Sequence, residues 1–168
     1  MTDDMRRMMQ QWGAPPRITE IAMRARDTDA VVHAKTFLGD IIRRDVNMLV
    51  LAGGVGVGKS VAAAWSMLSF PVNGHGAYGM RRFRHTAALC ELLGQFDADQ
   101  KKERDILKAC RMLVLDDVGT EYLTEPFQML FDGLINARYE ESGITVITTN
   151  LTSDQFRDRY GLRIYDRL

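Results

Sequence analysis

The residues most able to do chemistry are Gly53-Gly54-Val55-Gly56-Val57-Gly58-Lys59-Ser60, which satisfy GxxxxGK[ST] in full. Glycines let a backbone fold so that successive N–H groups point inward at phosphate oxygens. Lys59 places a point charge where β- and γ-phosphates would lie, and Ser60 offers a hydroxyl to Mg²⁺. A helix starting at this point adds its first amides, Val61 among them, and the positive end of its dipole. The chemistry is capture of a nucleoside triphosphate with Mg²⁺ by residues 53–61.

Three further groups could act on such a ligand. Asp116 and Asp117 close the apolar run RMLVLDD. One carboxylate there can hold magnesium and its neighbour, pointing another way, can orient a water. Asp116 is assigned to the metal with Ser60, and Asp117 to water activation. Asn150 ends the run ITVITTN. An amide at a strand tip can hold the attacking water or sense the γ-phosphate, and it is equally an ordinary turn former. Arg157, Arg159, Arg163 and Arg167 crowd the last dozen residues. Arg163 and Arg167, four apart, share one helix face. They could complete a neighbouring subunit's site, form a solvated basic face or contact DNA phosphates.

These groups need elements to hold them. VNMLVLAG at 46–53 is nearly continuously apolar, as expected of a strand buried on both faces of a parallel sheet. The glycine loop follows it, and then the helical text KSVAAAWSMLSF. A capped helix is expected over Thr28–Arg43, a second strand over 76–83, a helix from His85 to Phe96 and a short charged helix from Asp99 to Ala109. The strand 111–117, a long amphipathic helix Leu123–Glu141, the strand 144–150 and short helical text over 152–168 complete the pattern. Strands alternate with helices, so the fold class is α/β with a mainly parallel sheet. Ligands of such sheets sit beyond the carboxyl ends of the strands, where all the polar signals fall. Residues 1–27, rich in Met and Arg and broken by Pro15-Pro16, are expected to be a flexible arm whose methionines grip a partner or fray.

Composition narrows the classes. The 168 residues suit one domain with one core, and 46% are hydrophobic. Twenty-two basic residues balance 22 acidic ones, so no global positive field draws in nucleic acid. Cys90 and Cys110 lack CxxC spacing, which argues against a disulfide framework or zinc site and for a reducing cytoplasm. Apolar stretches are broken well before 18 residues, and the charged N-terminus is not a signal peptide.

Together these segments resemble the AAA+ ATPases, and among them the helicase-loader group: DnaC-like loaders and the IstB-like ATPase subunits of transposons. The resemblance spans roughly residues 30–168. GGVGVGKS resembles the Walker A motif and RMLVLDDVG, with Gly119, the Walker B strand. INARYEESGITVITTNL, residues 135–151, resembles a characteristic block that ends in the sensor-1 residue, which maps to Asn150. LRIYDRL, 162–168, looks like the arginine-finger segment, with Arg167 as finger and Arg163 as a second arginine. Arg138, inside the characteristic block, maps near a subunit interface. The resemblance implies a three-layer sandwich with a five-stranded sheet, order 5-1-4-3-2 if complete, and a core over 28–168 that stops before the sensor-2 region. It implies a slow ATPase that self-associates into a helical or ring-like assembly. Its partners would be single-stranded DNA and a hexameric DnaB-like replicative helicase, which it loads or releases. The transposon relatives imply an alternative, an ATPase that selects target DNA and directs a transposase.

Overall fold

The computed structural model describes residues 2–44, 46–70, 81–92 and 98–168. Helices α1 (Thr2–Gln11), α2 (Pro16–Met23) and α3 (Asp29–Arg44) precede β1 (Met48–Ala52). α4 (Lys59–Ser69), β2 (Arg81–His85), α5 (Thr86–Leu89) and a 3₁₀ turn (Cys90–Leu92) follow. Then come α6 (Ala98–Ala109), β3 (Met112–Val118), α7 (Glu125–Glu140), β4 (Ile144–Thr149), α8 (Ser153–Tyr160) and α9 (Leu162–Tyr165). Residues 76–80 of the expected second strand and 93–96 of the expected helix after it lie outside the described residues.

All strand pairs are parallel, in the order β1-β4-β3-β2. This is the expected 5-1-4-3-2 arrangement without its fifth strand among the described residues, so β1 is an edge. Alternation sorts side chains to two faces. Met112, Val114, Ile144 and Val146 face a core shared with α1–α4, whereas Leu113, Leu115 and Ile147 face one shared with α5–α9. That is the three-layer plan, with both sheet faces covered, and it explains the unbroken apolar runs. α4 lies close on the sheet because Ala62, Ala63 and Ala64 have no bulk to hold it off. Local caps agree: Thr124 caps α7, and Thr152 and Gln155 form a capping box on α8.

The N-terminal segment corrects one expectation. Residues 1–27 are not a loose arm where described: α1 and α2 pack into the core. Met9, Trp12, Ala14 and Ala22 are buried there, and Arg81 lies 4.8 Å from the Trp12 ring. The Trp12 carbonyl accepts the Phe83 amide at 2.7 Å, covering the outer edge of β2. Pro16 does not break the chain but starts α2, where its missing N–H costs nothing. Among the described residues no helix is long and apolar enough to cross a membrane.

Candidate nucleotide-binding site

The glycine loop links β1 to α4, beyond the carboxyl ends of the strands. Gly53, Gly56 and Gly58 have φ of 149°, 85° and 90°, which L side chains rarely adopt. A Cβ at Gly56 would meet no atom within 4 Å, so backbone conformation rather than crowding demands glycine there. Gly58 is the N-cap of α4 and brings no side-chain cap, which leaves the first turn's amides, from Lys59 to Val61, for an anion. Val55 and Val57 stand exposed on the outside of the loop.

Lys59 is buried, and its ammonium donates to Gly53 O and Gly54 O at 2.7 Å each and to Asn150 Oδ1 at 2.8 Å. The phosphate loop and the tip of β4, 91 residues apart, thus meet at one ammonium. A cleft of about 740 Å³ opens beside the loop, between Thr28, Asp29 and His33 at the start of α3 and the edge of β1. It is wide enough for a base and ribose.

The two aspartates are separated by a bulge. Leu115 pairs with Ile147 and Val118 with Thr149, so two residues of β3 oppose Thr148 alone. Threonine hydroxyls make good the interrupted ladder. Thr148 Oγ1 donates to Asp116 Oδ1 at 2.7 Å and accepts the Asp117 amide at 2.9 Å. Thr149 Oγ1 donates to Val118 O at 2.6 Å. The bulge places Asp117 at φ 57°, and its half-buried carboxylate meets His85 while that of Asp116 meets Thr148. Asp116 is buried, and the Ser60 hydroxyl lies near enough to act on its carboxyl. Burial pushes its carboxyl above the usual range, the Thr148 and Ser60 hydroxyls pull it down, and the Asp117 charge adds to the rise. A carboxylate and a hydroxyl are the pair that suits magnesium, whose other ligands are waters and phosphate oxygens.

His85 ends β2 opposite Asp116. Its Nδ1 accepts the Ala87 amide at 3.4 Å, so Nε2 carries the proton and faces Asp117 Oδ2 at 3.2 Å. Thr148 and Thr149 read from sequence as a strand tip and His85 as a helix start, and none of the three as having a role in the site. The only signal was polarity at strand ends, which turns also produce.

Arg163 and Arg167 are not brought to the loop of their own chain. Arg163 is exposed beside Asp132 of α7 at 3.7 Å. Arg167 lies over the Tyr139 ring at 5.6 Å and donates to Arg163 O at 2.7 Å. Both stand in the α5–α9 layer, opposite α4. Arg157 pairs with Asp154 at 3.0 Å, and Arg159 with the buried Glu121.

Arg138 corrects a second expectation. It is fully buried rather than at a subunit interface. Its guanidinium donates to Leu107 O, Lys108 O and Cys110 O at the end of α6, and to Thr145 Oγ1 and Ile144 O at the start of β4. A Cβ at Gly143 would come within 3.0 Å of that guanidinium. Within the characteristic block, Arg138 is therefore a structural pin.

A family model described as "IstB-like ATP binding protein" matches residues 17–164. No curated protein matches the chain significantly. Among solved structures, that of the DnaC helicase loader is 22% identical with a TM-score of 0.69, and covers 94% of this chain and 93% of its own. The structure of DnaI is 21% identical with a TM-score of 0.73, covering 91% and 88%. AMPPCP-bound DnaA from Aquifex aeolicus is 19% identical with a TM-score of 0.57, covering 80% of this chain and 41% of its own. At these identities the likeness is one of fold.

Proposed function

The chain belongs to the IstB-like ATP-binding proteins, and from that premise we propose that it is an ATPase that loads a hexameric replicative helicase onto single-stranded DNA, or releases it there. One observation carries this reading: the candidate phosphate, magnesium and water-binding residues come together while the candidate arginines lie elsewhere. Lys59, Ser60, Asp116, Asp117 and Asn150 converge beyond the strand ends, whereas Arg163 on α9 and Arg167 just after it lie against Asp132 and Tyr139 of α7. A second copy, placed with its α7–α9 side against this loop in a helical or ring-like assembly, supplies the missing cations.

In this reading the loop amides and Lys59 bind the phosphates. Ser60 and Asp116 hold magnesium, which neutralises phosphate charge when bound. Asp117 takes the proton of the attacking water, its carboxylate aimed by His85 Nε2. Asn150 releases Lys59 to the γ-phosphate and orients the water. The neighbour's Arg167, with Arg163 beside it, stabilises charge on the transferred group. An isolated chain is a slow enzyme, and assembly accelerates it. The likeness to the DnaC helicase loader over nearly whole chains supports a helicase as client.

The family description favours a second reading, an ATPase that selects target DNA for a transposase. Affinity capture from the native host with ATP present separates the two. Copurification of a hexameric helicase, with stimulation by single-stranded DNA, is expected. Recovery of a transposase with duplex-DNA binding would replace the first reading by the second.

A further inference from the structure

Glu121 is a carboxylate with no exposed side-chain surface, and the nucleotide site does not use it. It closes the turn that begins at Asp117 and passes through Gly119 at φ 107°. Its Oε2 accepts the Gly119 amide at 2.9 Å. Its Oε1 accepts the Tyr160 hydroxyl at 2.5 Å and Arg159 Nη2 at 3.1 Å. One buried carboxylate thus ties the turn carrying Asp117 to the last residues of α8. An apolar contact of similar size would hold two elements together as well, because desolvating charge offsets much of its attraction. Directed hydrogen bonds add a fixed distance and orientation.

Beyond Tyr160 lies the arginine segment. α9 has four residues, too few to hold its own direction. Its placement comes from buried Ile164, from Tyr160 across Gly161, and from the contacts of Arg163 with Asp132 and Arg167 with Tyr139. The Tyr160 ring lies 5.0 Å from Phe131 and 4.6 Å from Phe156. Arg163 is on α9, and Arg167 donates to the Arg163 carbonyl. Tyr160 is thus one of the anchors from which both arginines are set.

We infer that the Glu121–Arg159–Tyr160 cluster is a positioning device that sets how a subunit presents Arg163 and Arg167 to its neighbour. This rests on the reading that those arginines act in the neighbouring subunit. The test is Tyr160→Phe, which removes one hydroxyl and keeps the ring. Nucleotide affinity should stay within about twofold while hydrolysis falls about tenfold. Mixing with Asp117→Asn, whose arginines are intact, should restore activity, because the Tyr160→Phe subunit keeps a whole centre of its own. Mixing with Arg167→Ala should restore none. Arg159→Gln, which leaves the Tyr160 ring in place, must give the same pattern. Parental activity in both variants overturns the inference. So does failure to recover with Asp117→Asn when Arg167→Ala does recover with it. If Arg167→Ala also fails to recover in mixed assemblies, action of the arginines in the neighbour is refuted, and the inference falls with it.

Discussion

Lys59 and Arg138 are both buried cations held by backbone carbonyls and neutral side chains, at opposite ends of β4. Burial alone does not separate them; their acceptors do. Arg138 spreads a rigid planar fork over oxygens that close α6 and open β4. Nothing from outside can take their place. Lys59 offers a compact, rotatable ammonium to Gly54 and Asn150, both exposed, and to Gly53. Phosphate oxygens can replace those partners, and water can satisfy them once the lysine leaves. A buried cation on fixed acceptors locks a fold, and one on exchangeable acceptors waits for a ligand.

The largest expected effect tests that contrast directly. Arg138→Met should cost at least about 3 kcal/mol, because several buried carbonyls lose their donor. Lys59→Met should change stability by less than about 1 kcal/mol. Urea denaturation of both variants measures the gap, and equal losses would erase the distinction. Next, Lys59→Ala should weaken ATP binding at least about 100-fold, or about 2.7 kcal/mol, in a titration with a fluorescent analogue. Undiminished affinity would break the functional half of the comparison. Gly143→Ala, which sets a methyl against the Arg138 guanidinium, should cost about 1–2 kcal/mol, and less in an Arg138→Met background.

The smallest effect sharpens the comparison with a buried anion. Burial works to raise the Glu121 carboxyl, but hydrogen bonds from Tyr160, the backbone and Arg159 outweigh it and hold it below its ordinary 4.5. A depressed carboxyl stabilises fully above its unfolded value and loses that contribution as pH falls through the folded one. The parent should therefore lose stability below about pH 4.5 more steeply than Glu121→Gln in acid melts.

Much of the site was legible because it is contiguous. The loop 53–60 carries its own geometry in its glycines, and Asp116 and Asp117 follow an apolar run that can only be a central strand. Their separation was less legible, since the bulge that parts them is made by Thr148 and Thr149 of another strand. His85 read as the start of a helix, which it caps, while its other nitrogen meets Asp117. The N-terminal segment misled because Pro15-Pro16 interrupts its pattern and its methionines and arginines read as an arm, and only the surfaces of α3, α4 and β2 give Met9 and Trp12 somewhere to bury. Arg138 misled because a motif marks recurrence without saying whether a ligand or the core requires it.

The sequence by itself determined the strand-and-helix alternation, the parallel sheet and the phosphate loop. Each of these follows from local periodicity and from backbone freedom at a few glycines. Only tertiary structure decided which cations serve the fold and which face the ligand, because that depends on acceptors contributed from far along the chain. Lys59 meets Asn150 across 91 residues, Arg138 meets Leu107 across 31, and Glu121 meets Tyr160 across 39. No local pattern encodes those distances; the crossovers of the sheet do.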